Sequence, residues 1–311
     1  MNRELKKLSL ALIGLLCSGP LPAAESHSYL FSYFVGNGED GLHLAWSTNG
    51  YNWDSLNHGR SLLTPVVGES KLMRDPSLLQ ALDNKEFHLV WTTAWKGKTI
   101  GYAHSKDLVH WSEQKAVPVM ADQSGAENCW APELFYDKAK RQYLIFWAST
   151  VKHPGSANGE SGHRLYYVTT RDFQTFAPAR SFFDPGFSVI DGTMVEHGGR
   201  FYLIFKDERE RPAPRKDLRL AQSISAEGPW EQVSEPFTRT WVEGPTPLQI
   251  GDETFVYFDC YRDKHYGALK SEDLQHWEDV TSRLSMPSGI RHGTALEVSA
   301  EILKALRAAQ P

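Results

Sequence analysis

Three acidic residues stand in short turn-forming motifs: Met73-Arg74-Asp75-Pro76-Ser77, Ile190-Asp191-Gly192-Thr193 and Val242-Glu243-Gly244-Pro245-Thr246. A histidine stands in a fourth, Arg291-His292-Gly293-Thr294. Carboxylates brought together by a fold do acid–base chemistry: an ionised one accepts a proton and a neighbour kept protonated donates one. Taken singly, Asp-Pro or Glu-Gly-Pro is only a turn signal. A second Glu-Gly-Pro at Glu227 and a second Asp-Pro at Asp184 show how weak the tripeptides are alone. What could bring the first set together must come from the register of the whole chain.

That register is a repeat. An apolar strand, a polar turn and an aromatic recur as LAWSTNGYNW, YAHSKDLVHW, YVTTRDFQTF, AQSISAEGPW and ALKSEDLQHW, ending at Trp53, Trp111, Phe176, Trp230 and Trp277. Each copy follows another strand rich in Tyr, Phe, Val and Ile, a composition that fits a pleated, half-buried surface. Four copies have a third strand upstream, beginning near Arg74, Trp130, Ile190 and Glu243. The first copy lacks one, and an orphan, RHGTALEV from Arg291, stands near the C-terminal end. Pairing the orphan with the N-terminal strand Tyr29–Phe34 closes a ring and removes its open edges. The expected fold is all-β, a five-bladed β-propeller, spanning residues 25–311 as a single domain. Helical periodicity is confined to Ala300–Ala309.

In such a ring the third strand of each unit lies innermost, and its start faces the axis. Counting back twelve residues from Phe87, Tyr143 and Phe255, and eleven from Tyr202, aligns Asp75, Ala131, Glu243 and Asp191. His292 takes the fifth place. Clustered carboxylates repel and have no structural use at a dry centre, so their convergence points to a site. Glu227 falls instead in the polar turn, in the slot of the solvent-facing Asp107 and Asp273. Asp184-Pro185 precedes Asp191 by a loop. For His292, a satisfied core histidine and a functional one both remain open, and Trp130 is either a cavity wall or a sugar platform. Trp95, Trp147 and Trp241 are expected in the core.

The chain has 311 residues, 41% hydrophobic and 12% aromatic, with a formal net charge of −5. Mild acidity without a basic run argues against nucleic acid, while plentiful aromatics also suit stacking on sugar rings. Residues 1–24 read as an export signal: Arg3, Lys6 and Lys7, an apolar run Leu8–Leu16, then Ala23-Ala24. The run is too short to span a bilayer. The mature chain is expected outside the cytoplasm, secreted or periplasmic, and monomeric; Cys17 offers a less favoured lipoprotein alternative. Cys129 and Cys260 are expected as separate buried thiols, and no Cys/His cluster has zinc spacing.

With MRDPS, NCWAPELFYD, VIDGTMV, VEGPT and RHGT in this order, the chain resembles glycoside hydrolase family 43 from Tyr29 to about Val298. The resemblance implies an inverting exo-glycosidase acting on plant polysaccharide side chains. An α-L-arabinofuranosidase is the leading reading, with β-xylosidase or exo-β-galactosidase as alternatives in the family and a non-catalytic sugar-binding propeller outside it. It further implies Asp75 as general base, Glu243 as general acid and Asp191 as the residue that tunes and orients the acid. It places His292 near a central calcium ion or a water cluster. Arg74 and Arg291 flank axial residues, as substrate contacts or as partners of the carboxylates, and Lys206 is a further substrate contact.

Overall fold

The computed structural model describes residues 27–83, 85–151 and 162–309. The expected export signal, with Cys17, lies outside the described residues. Five antiparallel sheets follow one another around an axis. Their innermost strands are Arg74–Gln80, Trp130–Asp137, Val189–His197, Glu243–Ile250 and Arg291–Val298, in blades 2, 3, 4, 5 and 1. Blade 1 is assembled from both ends of the described chain, Arg291–Val298 pairing antiparallel with Ser28–Phe34 from Ser28↔Val298 to Phe34↔Arg291. Blade 4 has three strands, with only an isolated bridge between Gln222 and Glu231 at its outer edge. The ring is thus the expected five-bladed propeller, closed where expected. Among the described residues no helix is long and apolar enough to cross a membrane.

Five apolar clusters fill the seams between neighbouring blades. Leu30, Leu44, Leu78 and Phe87 join blades 1 and 2, and Val90, Tyr102, Leu134 and Ile145 join blades 2 and 3. Phe146, Leu165, Met194 and Leu203 join blades 3 and 4, and Ile204, Leu218, Val256 and Phe258 join 4 and 5. Tyr29, Phe31, Leu248 and Tyr257 seal the seam between 5 and 1. Each fully buried large side chain contributes about 1.5–3 kcal/mol, so the closing strand is held by core burial as well as its ladder. Gly293 lets the two backbones meet there: a Cβ would lie 1.7 Å from the Ser32 carbonyl oxygen. The C-terminal helix Ala300–Ala308, capped by the Ser299 hydroxyl on the Ile302 N–H, presses Leu303 and Leu306 into the first seam.

The repeated turn owes its shape to a Ser/Thr-x-Asp/Asn motif. Ser105 Oγ accepts the N–H of Leu108 at 2.8 Å, and Asp107 Oδ1 accepts those of Val109 and His110 at 2.9 and 2.7 Å. The same bonding recurs at Thr170/Asp172 and Ser271/Asp273, leaving Leu108, Phe173 and Leu274 left-handed and buried. In blade 4 the Asp107 slot belongs to Ser225, not to Glu227. Glu227 is also not solvent-facing. Its carboxylate bonds Lys140 at 2.6 Å, Gln142 at 2.7 Å and Tyr167 at 3.0 Å, bracing blade 4 against blade 3. Cys129 and Cys260 are free, buried thiols, and Trp147 is fully buried, as expected.

Candidate active site

Every innermost strand begins with the same irregularity. Between Arg74 and Ser77 the inner strand has one residue more than its partner, Thr92 to Val90. The same extra residue recurs in blades 3, 4, 5 and 1. In blades 2 to 5 the residue after the first member of the bulge is left-handed, at Asp75 (φ 50°), Ala131 (47°), Asp191 (52°) and Gly244 (58°). Bulges re-aim side chains, and Asp tolerates this conformation better than most residues.

These bulges correct the sequence register by one place in blade 5. Gly244, not Glu243, is the equivalent of Asp75 and Asp191; Glu243 matches Arg74, Trp130, Ile190 and Arg291. Phe255 was an unsound ruler. The bulge partner lies five residues beyond the aromatic in blades 2 and 3 but four beyond in blades 4 and 5. Glu243 still reaches the axis, from the flanking position instead of the left-handed one. The motif columns carry the signal: Arg-Asp-Pro-Ser, Trp-Ala-Pro-Glu, Ile-Asp-Gly-Thr, Glu-Gly-Pro-Thr and Arg-His-Gly-Thr align without gaps.

One cavity of about 390 Å³ is lined by Arg74, Asp75, Trp130, Asp191, Lys206, Glu243, Arg291 and His292, so all eight candidate residues meet. Asp75 Oδ2 accepts the Thr92 hydroxyl at 2.8 Å, and that same hydroxyl accepts the Ala131 N–H, locking blade 2 to blade 3. Asp191 Oδ2 accepts the Gly244 N–H at 3.0 Å and so grips the chain next to Glu243. The His292 Nδ1 lies 3.4 Å from Asp75 and 3.9 Å from Asp191. Burial pushes Asp191 up to about 6; the His292 charge opposes this and Glu243 adds to it.

Glu243 is held between two cations. Lys206 Nζ donates to Oε2 at 3.1 Å from blade 4, and Arg291 donates to Oε1 at 3.0 Å from blade 1. Burial raises its carboxyl, but Lys206 and then Arg291 outweigh this and leave it below the usual range. Arg291 also binds Asp259 at 2.5 Å, so here it serves as a carboxylate partner. Arg74 takes the other course. Its guanidinium stacks 4.2 Å from the Trp95 ring and 4.7 Å from Phe34, bonded to Asn37 at 3.1 Å. Trp130 forms a wall: its Nε1 donates to the Trp95 carbonyl and its ring meets Trp95 edge-on at 5.8 Å. Trp95, expected in the core, is 52% exposed and lines the cavity. Trp241 is half-buried under the Arg262 guanidinium.

Three contributors escaped the sequence reading. Glu208 meets the Lys206 ammonium at 3.0 Å. Asn37 receives both the Arg74 guanidinium and the Trp95 indole N–H. Glu133, two places beyond Ala131, is half-buried on the axis, its Oε1 accepting the Thr193 hydroxyl at 2.9 Å. Burial pushes it up to about 7 against the hydrogen bond of Ser77. The described residues contain no group of three His, Cys, Asp or Glu arranged to hold a metal ion. Calcium takes six to eight oxygen ligands, most of which would have to be water beside His292, and no step below uses a metal. A larger cleft of about 580 Å³ lies at the opposite strand ends between blades 2 and 3, without the converging carboxylates.

The family model described as "Probable glycosyl hydrolase domain", a relative of glycoside hydrolase family 43, matches residues 25–303. An α-L-arabinofuranosidase of Bifidobacterium longum is 24% identical over 184 residues, 51% of this chain and 17% of that protein's length. Among solved structures, a thermostable family-43 glycoside hydrolase superposes with TM-score 0.54 at 17% identity, covering 71% of this chain and 78% of the other. The α-L-arabinofuranosidase of Lactobacillus brevis gives 0.53 at 18%, covering 67% and 72%. With the family model spanning nearly all of its described length, the chain belongs to the family 43-related glycosyl hydrolases.

Proposed function

We propose that the protein is an inverting exo-glycosidase that removes α-L-arabinofuranosyl groups from plant polysaccharide side chains. The observation that carries this reading is the meeting of Asp75, Asp191 and Glu243 in one cavity with unlike environments. Carboxyls that face one cavity can divide the work of acid and base when one of them is kept protonated. Asp75 takes a proton from water as that water's oxygen bonds to the anomeric carbon. Glu243 gives its proton to the departing oxygen as the glycosidic bond breaks. In an inverting site the two carboxyls stand roughly 6.5–9.5 Å apart, with the water on the far face of the ring. Asp191 holds the Gly244 N–H and, by its charge, favours a proton on Glu243.

The binding energy in this reading comes from Trp130 and Trp95, which offer faces and edges to the sugar's C–H groups. Arg74, paired with no carboxylate among the described residues, offers donors to its hydroxyls. The choice of sugar follows the matched B. longum and L. brevis arabinofuranosidases. The test is hydrolysis of p-nitrophenyl α-L-arabinofuranoside, β-D-xyloside and β-D-galactoside by the purified protein. The arabinofuranoside is expected to be cleaved fastest. A faster xyloside or galactoside changes the sugar and leaves the mechanism standing; saccharide binding with no cleavage of any of the three contradicts the enzymatic reading.

A further inference from the structure

An acid must carry a proton, yet Glu243 faces two cations that favour its ionised form. From blade 4 it meets Lys206 and Asp191; from blade 1, Arg291 and His292. Asp259 lies across its own sheet, bonded to Arg291, and Asp75 faces it from blade 2. Lys206, like Arg291, has a second carboxylate of its own. Its Nζ lies 3.1 Å from Glu243 Oε2 and 3.0 Å from Glu208 Oε2, and both Lys206 and that Glu208 oxygen are buried. Glu208 is itself fixed. Lys216 Nζ holds its Oε1 at 2.5 Å and its carbonyl at 3.1 Å, while also binding Glu210 at 2.6 Å. The Lys216 carbonyl accepts the N–H of Val242, the residue before Glu243, tying the assembly to the acid's own strand.

Resting on the glycosidase reading above, we propose that Glu208 is a positioning residue for the acid: it shares the Lys206 ammonium with Glu243 and so preserves the acid's ability to be protonated. An ammonium between two carboxylates divides its attraction between them, and the second negative charge also disfavours ionisation of the first. Lys216 keeps Glu208 from swinging away, which holds the division near equal. Burial alone opposes the Lys206 charge, and Glu243 with Glu208 outweighs it, so the ammonium persists between them.

The test is a ¹³C-carboxyl NMR titration of Glu243 in wild type, Glu208→Gln and Lys206→Met, paired with the pH profile of kcat/KM on a methyl arabinofuranoside. Glu208→Gln is expected to lower the Glu243 midpoint by about half to one pH unit and move the alkaline limb down with it. Lys206→Met is expected to move both the other way. Glu208→Asp, which keeps the charge, restores most of the wild-type titration, and Glu208→Ala, which also removes the charge, serves in place of Glu208→Gln if that variant does not fold. An unmoved or raised midpoint in Glu208→Gln, or in the Asp variant a midpoint no nearer to wild type, overturns the proposal. Opposite NMR shifts in a protein that cleaves no glycoside uphold the charge sharing and refute the function. Activity without those shifts does the reverse.

Discussion

Asp191 and Glu243 differ less in kind than in company. Asp191 is buried against an N–H and an imidazole; Glu243 is half-buried against an ammonium and a guanidinium. Their protons leave as a pair, so the pH profile reports macroscopic values that belong to both. Asp191 is raised to about 6 while Glu243 is lowered, so the last proton leaves the pair near pH 6 in the free enzyme. The sign follows: below that pH the pair holds the proton the leaving group needs, and above it kcat/KM falls. Measured on a substrate with a poor leaving group, the alkaline limb is expected at about pH 6. A plateau running up into the lysine range contradicts the assignment. The three carboxylates were legible because they stand in motifs. Glu208 was not, because nothing in Phe-Lys-Asp-Glu says that its side chain turns back to Lys206. Glu133 was hidden by attention to Ala131, whose methyl makes its blade look inert.

The bulge at the head of each inner strand converts five ordinary strands into a site. It spends one extra residue to turn Asp75 and Asp191 toward the axis, and in blade 5 it requires glycine twice over. Gly244 has φ 58°, and a Cβ there would lie 2.4 Å from His292 Cγ. Gly244→Ala is therefore expected to destabilise the fold by about 1–2 kcal/mol through the left-handed backbone. It should also displace the His292 ring from Asp75, lowering kcat/KM on the order of 10²-fold, the usual scale for a misplaced group. Thermal melting and kinetics on the same protein check both parts; wild-type values for both contradict the close-packing account. The strands themselves were legible from their β-branched and aromatic runs. Their bulges were not, because an extra residue changes the count between aromatics without changing their types. That is why a twelve-residue ruler put Glu243 in the place of Gly244.

At the scale of the molecule, the number of blades and the closure were written in the repeat and in the orphaned Arg291–Val298 strand. The propeller gathers side chains more than 200 residues apart in sequence into one cavity, which no local pattern reveals. It also separates the two Glu-Gly-Pro motifs: Glu243 faces the axis, and Glu227 braces blade 4 against blade 3. The most direct test compares Asp75→Asn, Glu243→Gln and Glu227→Gln on an activated aryl arabinofuranoside and on an alkyl one. Asp75→Asn is expected to lose on the order of 10²–10⁴ on both substrates, since water must be activated whatever leaves. Glu243→Gln is expected to lose that much on the alkyl substrate and far less on the aryl one, whose leaving group departs without a proton. Glu227→Gln should keep wild-type kinetics on both. Inactivation by Glu227→Gln with Glu243→Gln spared, or equal losses on both substrates in Glu243→Gln, contradicts the account.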